Sequence, residues 1–496
     1  MDHADAKFAE LLTRQTTSFA DTVVAYRQRR NRAPPPGFED WYKLAQSYNA
    51  TLIEDMFDPI YEDLTQYAHL DPAYLRIYAD QVAKSSPGLV NGFFIERGRA
   101  SSNCITGNYP CFEFEQMLAT ISIWLPDMSI PINGNSSPRI WIPQGDPNDT
   151  HSISGPTKPF GEIFFERDHP RRTASDACPA NSPLRRAVSR ADNERLNAPT
   201  LDASRRYDDI CEQPSLLKKH GAFIAPIRRN ITRNLVPLFA PARLSIETAI
   251  RYPDTIYWVH DPDYHLGMES TLQVPWTQKV NKIFWRGTNT GGAHGPETWQ
   301  HFHRHRFVAL TNATYIQAVQ SGLESNWAGL DLSQGPIAES FAEQYADIGF
   351  SGIMCRDDGF EYLNRPCSYL DPHFSPVSRI PLRQVLSKYR YLVDVDGHSF
   401  SGRFHAMLLS NSVVFKATLY REWHDSRLIP WLHFVPISQD FGLDMWKAFD
   451  FFLKNEDRAM HIADASRAWA LQVLRREDME LYLLRLLLEW ARMIQA

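Results

Sequence analysis

Between Lys282 and Ile437 the chain alternates between two kinds of apolar pattern. "KIFWRG", "YRYLVDVD", "SVVFK" and "HFVPI" are short runs rich in β-branched and aromatic residues, and helix-type stretches such as "TWQHFHRHRFVALTN" stand between them. Strands that alternate with helices build an open, mostly parallel sheet with helices on both faces. This half of the chain is therefore read as α/β. Ligands of such sheets bind outside the carboxyl ends of the strands, so the strand-to-helix turns are where chemistry is sought.

The rest of the chain reads less regularly. At about 150 residues per domain, 496 residues suggest two or three domains. Residues 6–30 have helical periodicity and run into the extended "RRNRAPPPGFEDW", and residues 38–85 read as helices with short breaks. A helix from Phe114 to Trp124, the turn "LPD" and the strand "MSIPIN" lead into a Gly/Asn/Ser loop. Residues 145–220 are the most loop-like part, either functional or an excursion across a surface. "LVPLFA" (235–240) and "DTIYWV" (254–259) read as strands, and "REDMELYLLRLLLEWARMIQA" as an amphipathic helix.

Charge and cysteine placement narrow the class. Lys and Arg number 52 against 58 acidic residues, a balance without the basic surface that sequence-independent nucleic-acid binding needs, although a local basic cleft is compatible with it. No run of about 18 apolar residues marks a membrane span, and the polar "MDHADAKFAELLTRQ" lacks the apolar core of a signal peptide. Five Asn-x-Ser/Thr acceptors, at Asn49, Asn135, Asn148, Asn230 and Asn312, point instead to the secretory pathway. Pairing of neighbours (Cys104 with Cys111, Cys178 with Cys211, Cys355 with Cys367) would close three loops with disulfides in an oxidising compartment; six buried free thiols are the other reading. No Cys-x-x-Cys pair supports a zinc site, and no metal is expected. These features together describe a lumenal domain whose membrane anchor lies outside this chain.

Four stretches carry candidate chemistry. In "FWRGTNTGG" a strand ends at Arg286-Gly287 and opens into Thr288, Asn289, Thr290, Gly291 and Gly292. Glycines let backbone N–H groups approach an oxyanion, and hydroxyls add donors. The stretch matches neither Walker A nor the dinucleotide fingerprint, so an ordinary turn is the competing reading. "HFHRHRF" places Arg304 and Arg306 in the helix of the same βα unit, where their donor forks suit a diphosphate or form a solvated basic face. In "YLVDVDGHSFSGRF" the strand ends near Asp396 and Gly397, Ser399 or Ser401 caps a helix beginning near Gly402, and Arg403 sits in its first turn. A cation there opposes the helix dipole; a bound anion accounts for it, as does a surface salt bridge. In "LYREWHDSRLIPWLHF", Glu422 either grips sugar hydroxyls or pairs with Arg421 or Arg427. Three anion-suited loops in one α/β half point to a nucleotide-phosphate site.

"KYRYLVDVDGHSFSGRF", "SVVFK", "EW" and "LIPWLHFVPI" together resemble the donor-binding core of glycosyltransferase family 90, which holds fungal capsule-associated xylosyltransferase-like proteins and animal protein O-glucosyltransferases. "KIFWRGTNTGG" with "HRHRFV", "APPPGFEDWYKLA", "CPANSPLRRA" and "LVPLFAPARLS" are similar to the fungal branch, so the resemblance runs from about residue 25 to about residue 480. It implies a GT-B architecture, two Rossmann-like domains facing a central cleft. On that plan residues 1–36 are an N-terminal helix and Pro-rich linker, 37–265 the acceptor-side domain, 266–470 the UDP-sugar domain, and 471–496 a helix returning to the first domain.

The implied reaction is an inverting, metal-independent transfer of xylose, or less readily glucose, from a UDP-sugar to a glycan in the Golgi lumen, with a mannose-containing acceptor and no cofactor. The matched donor residues are Trp285, Arg286, Gly287 and Thr288, the run Asp396, Gly397, His398, Ser399, Phe400, Ser401, Gly402 and Arg403, and Glu422 ahead of Pro430-Trp431. Arg403 would contact the diphosphate. The family's base is an Asp in an Asn-x-x-Asp pattern after the "LPDM" strand, and here Ser136 stands at that position. Asp146 and Glu96 are the substitute bases. A member that binds glycan or UDP without turnover is the alternative.

Overall fold

The computed structural model describes residues 1–85, 90–104, 111–134, 137–144, 170–189, 208–227, 231–259, 274–356, 362–363, 367–441 and 443–495. Two five-stranded sheets organise them. The first contains β1 (Val90–Glu96), β2 (Arg99–Ser102), β3 (Met128–Asn133), β4 (Phe239–Ala240) and β5 (Ile250–Arg251), in the order β2-β1-β3-β4-β5. β3, β4 and β5 run parallel, but β1 is antiparallel to both β2 and β3. This half is thus a mixed sheet rather than an all-parallel Rossmann-like unit. The β1–β2 pairing follows from a two-residue turn: Arg97 and Gly98 have φ of 51° and 74°, the doubly positive pattern that joins antiparallel strands tightly. Asp127 secures it by accepting from the Arg97 N–H at 2.6 Å.

The second sheet is parallel throughout. β6 (Val280–Thr288), β7 (Ala346–Gly352), β8 (Tyr389–Val395), β9 (Val413–Ala417) and β10 (Val435–Pro436) lie in the order β10-β9-β8-β6-β7. β8 and β9 are almost wholly buried, as strands covered on both faces must be. The chain leaves β6 toward β7 on one side and returns to β8 on the other. The order therefore reverses between β6 and β8, the position where open α/β sheets bind ligands.

Several sequence expectations are corrected. Residues 6–30 form parts of two helices, Asp2–Leu12 and Phe19–Arg30, because Ser18 caps the second, its Oγ accepting from Asp21 N–H at 3.1 Å. "LVPLFA" contributes only Phe239–Ala240 to a strand. "DTIYWV" is not a strand: Asp254 Oδ1 accepts from Ile256 N–H at 2.8 Å and starts a 3₁₀ turn, Thr255–Tyr257. Within 145–220 the helices Pro170–Asp176 and Pro183–Ser189 are described, while residues 145–169 and 190–207 lie outside the described residues. All six cysteines pair as neighbours: Cys104–Cys111, Cys178–Cys211 and Cys355–Cys367.

The last helix, Arg476–Gln495, packs on the helices Phe38–Ser47, Pro72–Ser85 and Cys111–Ile121 of the first half. Its sequence looks amphipathic, yet its charged residues Arg485 and Glu489 are fully buried. The first-half helices cover the polar face, and Trp41 Nε1 donates to Leu481 O at 3.0 Å across the contact. Among the described residues no helix is long and apolar enough to cross a membrane.

Candidate functional site

The carboxyl ends of β6 and β8 open into a cleft of about 630 Å³. Its wall is built by the two loops that follow these strands, by residues 379–385, and by a single first-half segment that supplies Asp254 and Ile256. Arg304 ties the two strand ends together. Its Nη1 donates to Thr288 O at 2.9 Å and Thr290 Oγ1 at 2.6 Å, its Nη2 to Val395 O at 2.9 Å, and its Nε to Asp396 O at 2.7 Å. One planar guanidinium thus sets the spacing of both loops. Gly291 lets the first loop pack on the helix that begins at His303: its φ is 135°, and a Cβ there would lie 2.4 Å from the His303 ring. Its N–H donates to His398 Nδ1 at 3.2 Å.

Arginines dominate the charge. Among the described residues, Arg286, Arg304, Arg379 and Arg403 line the cleft against one carboxylate, Asp254. Arg286 is held by Asp347, an ion pair with a further bond from Nη1 to Asp347 O at 2.7 Å. Burial works to raise the Asp347 carboxyl, but the Tyr389 hydroxyl and Arg286 outweigh it and hold the carboxyl below its usual range. Arg403 donates through Nη1 to Arg286 O, which brings its guanidinium to the end of β6. Ser399, on the same wall, is 3% exposed and its Oγ has no hydrogen-bond partner among the described residues. Apolar side chains line the same cleft: Phe284, Leu382, Val385 and Met407 belong to one packed cluster, with Ile256 and Ile380 against it, and the Arg286 guanidinium lies 4.9 Å over the Phe284 ring.

Trp285, Gly287, Thr288, Gly397, His398, Phe400, Ser401 and Gly402 also line the cleft. The helix after β8 is corrected: it begins at Phe404, is five residues long, and has Arg403 at its N-cap position with no side-chain cap, so neither Ser399 nor Ser401 caps it. With so short a helix, the case for an anion passes from the helix dipole to the guanidinium groups.

Three candidates are placed away from the cleft lining. Arg306 spends its donors on Ala328 O, Gln439 O and Asp440 O at 3.0–3.2 Å and braces a neighbouring loop. Asp396 is buried, with Oδ2 accepting from Leu419 N–H at 2.7 Å and Gln439 Nε2 at 3.1 Å, and fixes the end of β8. Glu422 lies behind the loop rather than in the cleft. It is 1% exposed, its partners are Tyr257 Oη at 3.0 Å and the Lys416 ammonium at 3.6 Å, and Lys416 also pairs with Asp394 at 3.1 Å. Neither Arg421 nor Arg427 is the cation beside it.

Burial pushes the Glu422 carboxyl well above the usual carboxylate range, against the pull of Lys416. The hydrogen bonds agree. The Tyr257 hydroxyl has one proton and lies 3.0 Å from both Glu422 Oε2 and Ser401 O. The Tyr257 hydroxyl thus bridges Glu422 Oε2 and Ser401 O, so a first-half residue holds the β8 loop. Glu422→Gln, isosteric, is therefore expected to leave the donor KM within about threefold, because the residue lies outside the cleft lining and the amide oxygen still accepts from Tyr257. A much larger rise in donor KM would put Glu422 on the sugar instead.

Of the proposed bases, Ser136 and Asp146 lie outside the described residues. Glu96 is exposed at the far end of β1. Val90, not Glu96, pairs with the carboxyl-end residue Asn133 of β3, and the intervening strand is about 20 Å long. Sequence reasoning missed Arg379, Ser351, Asp254 and Ile256. "SPVSRIPLRQ" carries no glycine or strand signal around Arg379, and Asp254 was absorbed into a supposed strand although an Asp after a Pro is an ordinary turn signal.

Comparison with known proteins places this geometry in a class. Residues 375–496, which contain β8 and its loop, match the model of glycosyl transferase family 90. Among curated proteins the chain is similar to protein O-glucosyltransferase 1 of Bos taurus, 30% identical over 108 residues, or 22% of this chain and 27% of the relative. O-glucosyltransferase rumi of Drosophila pseudoobscura pseudoobscura is 31% identical over 109 residues, again 22% and 27%. Protein O-glucosyltransferase 3 of Mus musculus is 31% identical over 105 residues, 21% of each chain. The aligned stretch spans about a quarter of the length of these relatives.

Proposed function

We propose that the chain is an inverting glycosyltransferase that moves xylose, or alternatively glucose, from a UDP-sugar to a hydroxyl of a glycan acceptor, forming a β-linkage without a metal. The observation that carries this reading is the cleft at the β6/β8 switch point, lined by four arginines and by a packed apolar cluster. A diphosphate suits the arginines, whose fixed donors stabilise the charge that builds on the leaving UDP. Phe284, Ile380, Leu382, Val385 and Met407 suit a uracil ring. The family match and the glucosyltransferase relatives support sugar transfer as the reaction class. In this reading the two halves are the two sides of a GT-B cleft, with the acceptor, a mannose-containing glycan, entering from the first. Three disulfides and the exposed acceptors Asn49 and Asn312 support a lumenal, Golgi setting.

The test is a donor screen with free UDP and glycoside as readouts. UDP-xylose and UDP-glucose are offered with a panel of mannose-containing oligosaccharides, with and without EDTA. Turnover is expected with one of the two donors and is expected to survive EDTA. Loss of activity in EDTA that Mn²⁺ restores overturns the metal-free mechanism. UDP binding without any turnover favours the second reading, a UDP- or glycan-binding protein, which Ser136 at the family's base position supports.

A further inference from the structure

We propose that Asp254 is the general base of the transfer; this rests on the function proposed above. An acceptor hydroxyl attacks the anomeric carbon productively only if its proton is taken as the bond forms. Among the described residues that line the cleft, Asp254 is the single carboxylate. With Ile256 it is one of two described lining residues supplied by the first half, whereas the four arginines come from the second. A carboxylate repels a diphosphate, so beside the arginines it suits the acceptor hydroxyl rather than the leaving group.

The segment that carries Asp254 is docked rigidly against the donor loop. Asp254 Oδ1 accepts from Ile256 N–H at 2.8 Å. Ile256 packs so closely on Gly402 that a Cβ there would lie 2.3 Å from Ile256 Cδ1. The Tyr257 hydroxyl reaches Ser401 O at 3.0 Å. These contacts set the carboxylate relative to the loop that bears Ser399 and Arg403. In the step, the acceptor O–H proton passes to the Asp254 carboxylate and the acceptor oxygen bonds to the anomeric carbon. The bond from that carbon to the β-phosphate oxygen breaks, and its electron pair leaves with UDP.

Asp254→Asn separates this role from a structural one. Its amide oxygen still accepts from Ile256 N–H, because Asn caps as well as Asp does, but it takes no proton. With a donor and acceptor that the wild type turns over, kcat is expected to fall at least about 100-fold. The Kd for UDP and the melting temperature stay at wild-type values, and the acid-side fall of the pH–rate profile is lost. A kcat within a few-fold of wild type overturns the proposal, as does a parallel loss of UDP affinity, which would make Asp254 a ligand of the ribose or diphosphate. If Asp254→Asn does not fold, Asp254→Ser, another capping residue, is read in the same way. A wild type that binds UDP but turns over no donor removes the transferase reading first, and this proposal with it.

Discussion

Arg485→Ala is expected to lower the stability of the folded chain by about 3–5 kcal/mol, the range for removing one partner from a buried ion pair. Arg485 is fully buried on the last helix. Its Nη2 donates to Glu54 Oε1 at 3.1 Å and Tyr61 Oη at 2.8 Å, and its Nε lies 3.5 Å from Glu489 Oε1. The rings of Tyr26, Phe38 and Trp41 surround the guanidinium at 4.5–4.8 Å from their centroids. Burial opposes the charge, but Glu54, Tyr61 and Glu489 outweigh it and raise the Arg485 pKa. Alanine would leave a void inside an aromatic cage and would strip a cation from two buried carboxylates. Glu54 keeps Arg30 at 2.8 Å and Glu489 keeps Arg32 at 3.0 Å, which sets the upper limit of the loss. Equilibrium unfolding in urea measures it. A change below about 1 kcal/mol, the value of an exposed pair, would show that the helix docks by apolar packing alone.

Arg403→Ala is expected to weaken UDP binding by about 10- to 100-fold while uridine binding changes by less than about twofold. Hydrogen bonds to a charged group contribute about 1.5–3 kcal/mol, and only UDP offers the charge. Arg403 lies on the cleft wall, anchored through Arg286 O at the end of β6. Titration calorimetry with the two ligands separates the outcomes. Equal loss for both would indicate a collapsed loop, and no loss for either would place the diphosphate elsewhere. Arg304→Ala is a poorer probe because its donors hold the protein's own strand ends.

Much of the α/β half is legible without the structure because its signals are local. "KIFWRG", "YRYLVDVD" and "SVVFK" are short apolar runs of strand length, and each forms a strand of the parallel sheet. The glycine-rich turn after Trp285 and the Ser-Gly-Arg cluster after Val395 both line the cleft. Their mechanism was not legible: the helix was expected to begin at Gly402 with a serine cap, and it begins at Phe404 with none. Where the apolar pattern is short and broken by proline, as in "LVPLFA" and "YPDTIYW", strand propensity lost to local turn chemistry, and Asp254 went unrecognised.

Residue type alone therefore determined which segments can bury both faces, which turns can approach an anion, and that cysteines adjacent in the sequence can close loops. Only the tertiary structure decided which charges reach solvent. Arg304, Arg306 and Arg403 lie within about 100 residues and look equivalent in the sequence. Arg304 ties two strand ends together, Arg306 braces a loop outside the cleft, and Arg403 stands on the cleft wall. Glu422 likewise passes from sugar ligand to buried latch, because Tyr257 arrives from a segment 165 positions away. A guanidinium or carboxyl takes its role from the partners and the water around it. Those are set by which elements pack together, and no local stretch of sequence contains that information.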